Sequence, residues 1–337
     1  MVQEIVRSRA PLRIGIAGGG TDVEPYASSK GGVVFNSTIN KYAYCSIRPN
    51  GTDTLTIRSL DYGSFEASVD GGPLKYDGNL DLAKAVANHF DIKEGFDMFI
   101  HSEAPPGSGL GGSSTVIVAI LKAVTEWQNI VMDKHEMAAL AYHLEREILG
   151  LKGGKQDQYA ATFGGFNRMD FDRYGVTVRP LDVSQDTIEE LQYCSLLCYT
   201  GKSRESADII ESQVKSFQDG TNEDALDAAK GLAIELSDAL VKGNIPLVGE
   251  LLGETWEQKK RFSNKISNHM IDAMYKTAIS NGAYGGKVSG AGGGGFMYFI
   301  CEYDKKHIIA KELSRWGARV TDFMFEPNGA ISWRAKQ

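Results

Sequence analysis

An arginine, two carboxylates and a glycine-rich loop carry the chemistry this sequence could do. Asp157 stands in "GGKQDQYAATFGG", residues Gly153 to Gly165. A carboxylate there can take or orient the proton of a reacting hydroxyl, or merely cap the short helix that follows. Glu145, in "YHLEREILG", offers oxygens that a hard divalent cation would accept. Its neighbour Glu147 competes for that role, and a solvated helix face is the plainer explanation for either. Arg13 sits mid-strand in "APLRIGIA", where a guanidinium among apolar neighbours is unusual. It either snorkels from an edge strand or faces a carboxylate.

The loop is "APPGSGLGGSS", Ala104 to Ser114, which runs straight into the apolar pattern "TVIVAILKAV". Glycine loses more backbone freedom on folding than any other residue, so such a loop is costly to order. A helix N-terminus presents unpaired N–H groups and the positive end of the macrodipole, which suits an anion. Pro106, Gly107, Ser108, Gly109, Leu110, Gly111, Gly112, Ser113 and Ser114 are therefore expected to bind phosphate. A tight turn with a serine N-cap would need one or two glycines at most. The P-loop pattern fails, because no lysine precedes Ser113 or Ser114. Gly107-x-Gly109-x-x-Gly112 formally matches a dinucleotide fingerprint, but the preceding "GFDMFIHS" alternates as a half-wet strand does, and a Rossmann unit wants a buried parallel one.

The elements that must position these groups follow from periodicity. Short alternating runs predict strands in "PLRIGIA", "GGVVFNSTI", "YAYCSIRP", "TLTIRSL", "SFEASV" and "GFDMFIHS". Helical spacing predicts helices over 113–129 and 133–149, then near 203–217, 222–242, 246–262, 267–281 and 304–316. Strands are expected in "YCSLLCYT", "ARVTDFMFE" and "AISWRA", with Cys194 and Cys198 on one face of the first. Polar "DVSQDTIEELQ" reads as a boundary, dividing the chain into 1–185 and 186–337. Segregated strands and helices predict an α+β fold.

Composition narrows the partners. A net charge of −7 gives no footing for a nucleic-acid backbone. No apolar run approaches the roughly 18 residues that span a bilayer. The N-terminus has no apolar segment with a small-residue cleavage site, so a cytoplasmic protein is expected. The 4 cysteines form no CxxC pair and no zinc spacing.

Three ordered segments, "SRAPLRIGIAGGGTD" (Ser8–Asp22), "APPGSGLGGSS" and "KVSGAGGGGF" (Lys287–Phe296), resemble the three signatures of the GHMP kinases. The resemblance implies a ribosomal-S5-like N-terminal domain, a ferredoxin-like C-terminal domain, ATP on the second signature and Mg2+ on Ser114 and Glu145. It implies Asp157 as the base beside the acceptor hydroxyl and Arg13 as its partner. It places substrate contacts at Gly19, Gly20, Thr21, Asp22 and Gly292. Galactokinases carry Glu and His where this chain has Gly19 and Gly20, which opens room for a bulkier sugar. The branch most resembled phosphorylates the anomeric hydroxyl of a sugar phosphate, a heptose 7-phosphate, with an unphosphorylated L-fucose- or galactose-like sugar as the alternative. A 7-phosphate would need cations, for which Lys41, Lys152, Lys155 and Arg204 are available. An oxidoreductase, a sugar-sensing protein without turnover and a GHMP decarboxylase are the readings from other classes.

Overall fold

The computed structural model describes residues 4–201 and 206–336; Arg204 lies outside them. Two sheets share the chain. The first contains β1 (Glu4–Ala17), β2 (Gly32–Pro49), β3 (Thr54–Ser59), β4 (Gly63–Ser68), β5 (Phe96–Ser102), β6 (Phe166–Asp172) and β7 (Gly175–Pro180). The second contains β8 (Ser195–Tyr199), β9 (Ala283–Val288), β10 (Phe296–Cys301) and β11 (Arg319–Val320), in the order β11-β8-β10-β9. The last strand, β12 (Ile331–Lys336), pairs with β1 and so closes the edge of the first sheet. That segment belongs to the later part of the chain under a division at 185/186. Among the described residues only β3 and β5 pair in parallel. The architecture is α+β, as the segregated patterns require.

Helices α1 (Tyr26–Lys30), α2 (Asp81–His89), α3 (Gly112–Trp127), α4 (Lys134–Tyr142), α5 (Gln156–Phe163) and α6 (Gln185–Cys194) accompany the first sheet and lead out of it. The remainder are α7 (Ser206–Gln218), α8 (Glu223–Val241), α9 (Ile245–Lys260), α10 (His269–Ser280) and α11 (Lys306–Ser314). Helix α3 is apolar around most of its circumference, with Ile117, Val118, Ile120, Leu121 and Val124 all buried. Such a helix must be covered on several sides, and α3 lies between β1 and β2 on one side and α4 and α5 on the other. Leu12, Ile14 and Ile16 of β1 enter a core shared with Leu232, Leu236 and Leu252 of α8 and α9. The centre of β1 is thus buried from both faces, unlike its alternating start.

Several local expectations are corrected. The two strands read from "GGVVFNSTI" and "YAYCSIRP" are one continuous β2, because Tyr42, Ala43 and Tyr44 resume pairing with β1 past an irregularity at Asn40 and Lys41. Helix α2 falls between strands where no helix was expected. Its Lys84 is buried against Asp77 and Asp81, an internal use of charge that amphipathic counting does not register. The polar "SQDTIEELQYC" is α6, capped by the Ser184 side chain on the Thr187 N–H. Cys194 ends that helix and only Cys198 lies on β8, so the two do not share a strand face. In "ARVTDFMFE" only Arg319 and Val320 form a strand.

Candidate active site

Strand β1 departs from regular pairing on both sides of Arg13, with register shifts between Pro11 and Leu12 and between Gly15 and Ala17. A proline cannot donate to a ladder, and bulges re-aim the side chains beside them. The Arg13 N–H donates to the Leu110 carbonyl of the glycine loop, 3.1 Å away. Its guanidinium reaches Asp157 Oδ1 twice, from Nε and Nη2 at 2.7 Å each, and donates to the Gly109 carbonyl. Arg13 is 4% exposed on an interior strand, so it is no snorkelling edge residue. Asp157 stands in the first turn of α5 without capping it, its carboxyl partly open to the cavity.

Helix α3 starts from Gly111, in the left-handed region at φ 78°, and no side chain caps it. The serine N-cap of a plain turn is missing, and Gly111, Gly112 and Ser113 line the cavity. The glycines bring backbone against backbone. A Cβ on Gly109 (φ +83°) would stand 2.4 Å from the Ser289 carbonyl oxygen, and one on Gly295 would stand 2.3 Å from that of Ser108. The third glycine-rich segment therefore braces the loop from behind. Gly109→Ala is expected to cost about 2–4 kcal/mol, combining positive-φ strain with the clash. A lowered thermal midpoint with loss of nucleotide binding checks this; unchanged binding would contradict it.

Glu145 is fully buried and its carboxylate accepts from Ser113 Oγ (2.7 Å), Ser114 Oγ (2.7 Å) and Gln158 Nε2 (2.6 Å). It is not on a plain α-helix: α4 gives way to a π-helical turn over His143–Ile148. Pattern counting sees one helix over 133–149, whereas the wider turn directs Glu145 inward. Wider turns of this kind recur at functional sites. Glu147 pairs with His143 on the exposed side. Arg146 reaches Ser114 Oγ (3.2 Å) and approaches Glu145 Oε1 (3.5 Å). Among the described residues no group of three or more His, Cys, Asp or Glu could hold a metal. The donors at Ser114 and Glu145 are oxygens only and two residues in number. That suits magnesium, which keeps water and phosphate oxygens as its other ligands.

Arg13, Asp157, Ser113, Arg146 and glycines of the loop line one cavity of about 400 Å3. Its apolar end is walled by Leu80, Leu82, Ile100, Val116, Ile120 and Leu149. The polar part of the lining comes from Arg13, Asp157, the loop from Pro106 to Gly109, and Gly19, Gly20 and Asp22. Not every expected contact reaches it. Thr21 is buried with its hydroxyl already used, donating to the carbonyls of Gly18 and Val33 and accepting from the Val33 N–H. Gly292 packs on Ile266, and it is Gly290 and Ala291 that line the cavity. Leu110 points into the core, and Ser114 and Glu145 sit behind the exposed Ser113. Asp22 is held by the N–H groups of Gly20 (3.0 Å) and Gln156 (3.1 Å). Of the basic residues, Lys152 lines the cavity, Lys155 pairs with Glu24 (2.7 Å), and Lys41 is elsewhere on β2.

Two lysines that the sequence reading passed over also line the cavity. Lys287 is buried on β9 and donates to the Gly15 carbonyl, tying the second sheet to the first. Burial pushes its amine well below the usual lysine range. Lys259, from the surface-looking "EQKKR" at the end of α9, is 5% exposed and donates to the Gly290 carbonyl. Burial and then the Arg13 charge lower it to about 8, against the opposing pull of Asp22 and Asp157. A lysine beside a second lysine at a helix end carries no sequence signal of burial.

Residues 80–165 match the profile of the GHMP kinases N-terminal domain, and residues 236–319 that of the GHMP kinases C-terminal domain. A relative from Campylobacter jejuni, D-glycero-alpha-D-manno-heptose 7-phosphate kinase, is 40% identical over 98% of this chain and 99% of its own. The chain belongs to the GHMP kinases. As a GHMP kinase it transfers a phosphoryl group with ATP as donor. The crystal structure of a D-glycero-D-manno-heptose 1-phosphate kinase from Bacteriodes thetaiotaomicron superposes with a TM-score of 0.81 at 36% identity, covering 97% of this chain and 98% of that one. L-fucokinase/L-fucose-1-P guanylyltransferase of Bacteroides fragilis is 28% identical over 89% of this GHMP kinase, which spans 35% of that longer protein. Among the described residues no helix is long and apolar enough to cross a membrane.

Proposed function

We propose that this GHMP kinase transfers the γ-phosphoryl of ATP to the anomeric hydroxyl of D-glycero-α-D-manno-heptose 7-phosphate, giving the 1,7-bisphosphate. The observation that carries the reading is the Arg13–Asp157 pair, set in one cavity between an uncapped helix mouth and a side-chain-free glycine turn. The 40% identity over nearly the whole of both chains supports the choice of heptose. The adenine lies at the apolar end between Leu80 and Leu149, and the triphosphate runs along Pro106 to Ser114. The sugar lies at Gly19, Gly20 and Asp22, and Lys152 meets the 7-phosphate.

Asp157 accepts the proton of the anomeric hydroxyl as its oxygen bonds to the γ-phosphorus. The bond from that phosphorus to the β-γ bridging oxygen breaks, and ADP leaves. Arg13 anchors the carboxylate so that its free oxygen faces the acceptor. The amides of the α3 mouth face the charge that spreads over the moving phosphoryl. Ser114 Oγ and Glu145 would hold Mg2+, which would supply positive charge at the nucleotide phosphates. Residues 1–185 would form the nucleotide-holding part, and 186–337 the part that brings Lys259 and Lys287 to the sugar. The reaction fits a cytoplasmic enzyme.

The test is turnover with ATP and magnesium on heptose 7-phosphate, L-fucose and galactose, with the product read by phosphorus NMR. An anomeric phosphate forming on the heptose is expected. Turnover of fucose or galactose and none of the heptose would replace this substrate with the other.

A further inference from the structure

Between β4 and α2 the chain runs through "VDGGPLKYDGNL", residues 69–80, with one short turn of helix over Val69–Gly71. The segment is mostly exposed, yet its end and the start of α2 help wall the cavity, through Gly78, Leu80, Asp81, Leu82 and Ala83. A loop with few buried apolar contacts holds its shape poorly unless polar ties fix it. Two side chains of α2 supply such ties. Asn88 accepts from the Leu74 N–H (2.8 Å) and donates to the Leu74 carbonyl (2.9 Å). Lys84 is fully buried and donates to Asp77 and to Asp81 (3.3 Å), with its ammonium 4.4 Å from the centre of the Phe65 ring on β4. Asp81 in turn accepts from the N–H groups of Asp77 (3.2 Å) and Gly78 (2.8 Å). Leu80 closes the turn in the left-handed region at φ 57°, which a non-glycine residue keeps only where its surroundings over-determine it.

Resting on the reading that the nucleotide base lies at the apolar end, we propose that Lys84 is a positioning residue for that base, holding the turn 77–80 so that Gly78 and Leu80 stay in the cavity wall. Lys84 and Asp77 stand behind the lining, so the effect passes through the turn and not through contact with the nucleotide. Stability alone does not account for the arrangement. Replacing a buried ion pair with packed apolar groups is often neutral or stabilising, whereas a buried ammonium demands its partners at fixed places. Those places are the two ends of the turn, Asp77 at one and Asp81, the first residue of α2, at the other. The triphosphate end of the cavity has a different support, the mouth of α3 and its glycine loop, so the role is confined to the base.

The experiment is calorimetric binding of Mg-ATP, adenosine and magnesium tripolyphosphate to the full chain, well below the melting midpoint of the weakest variant. It compares wild type with Lys84→Met, Asp77→Asn and the double variant. Lys84→Met is expected to weaken ATP and adenosine alike by about 10-fold, the loss when the turn holds its place in about a tenth of molecules, and to leave tripolyphosphate within about twofold. Asp77→Asn, at an exposed position, should weaken adenosine by about threefold and add little in the double variant, since both changes break one contact. Should Lys84→Met not fold, Asp77→Asn carries the test. Adenosine binding equal to wild type in the folded variants, or losses as large for tripolyphosphate as for adenosine, would overturn the proposal. No sugar enters the assay, so the choice of acceptor does not affect it. The placement of the base is checked apart from Lys84 by Val116→Phe, which fills the apolar end and should weaken adenosine. Unchanged adenosine binding there would move the base elsewhere and take this role from Lys84.

Discussion

Asp157→Asn lowers kcat by about 10²- to 10⁴-fold, the range for a lost general base, and leaves the KM for ATP within about twofold. The asymmetry follows from the geometry. The amide oxygen of asparagine can still accept from Arg13 Nε and Nη2, which now meet Asp157 Oδ1 alone at 2.7 Å. The start of α5 therefore stays docked on β1, and the Gly109 carbonyl keeps its own bond to Arg13. What disappears is the negative charge and the site for the departing proton. A stability loss of about 1–3 kcal/mol accompanies it, because the nearly buried Arg13 loses its counter-charge. Kinetics with both substrates varied, together with a thermal melt, separate the two effects. Full turnover in a folded variant would remove Asp157 from the chemistry.

Glu145→Gln raises the magnesium concentration for half-maximal ATP binding by about 10- to 100-fold, as expected when a metal site is altered. Both carboxylate oxygens are in use: Oε2 accepts from Ser114 and Gln158, and Oε1 faces Ser113 and Arg146. An amide keeps one acceptor. Turned to satisfy Ser114 and Gln158, it points N–H groups at the Arg146 guanidinium, donor against donor. Calorimetry of ATP binding at stepped magnesium reads the effect without turnover, and circular dichroism checks the π-helical turn. A magnesium dependence equal to wild type would show that Glu145 is a structural acceptor for two serines and nothing more.

Part of this site is legible in the sequence alone. The glycine loop announced an uncapped helix mouth because so many glycines before an apolar helix have few other uses. Arg13 announced a buried partner because a guanidinium in an apolar strand must be neutralised. Periodicity and composition named no partner for Arg13, and only the family resemblance pointed to Asp157: the two are 144 positions apart in sequence and meet when α5 docks on β1. That Glu145 turns inward and Glu147 outward follows from a π-helical turn that 3.6-residue counting cannot express. Thr21 looked like a polar contact for substrate, but a hydroxyl next to a tight turn is readily taken by the backbone, as here.

The sequence by itself determined the alternation and helical spacing of an α+β chain, the glycine-rich loop ahead of α3 and the charged residue types available near it. Those are local matters of period, propensity and backbone freedom. Only the tertiary structure decided that Lys259 and Lys287 leave the solvent, that β12 returns to the first sheet, and that a glycine turn is surrounded by Gln156 and Lys259. The physical reason is the range of the forces. Burial of a cation depends on what arrives from distant parts of the chain to cover it, and no window of neighbouring residues contains that information.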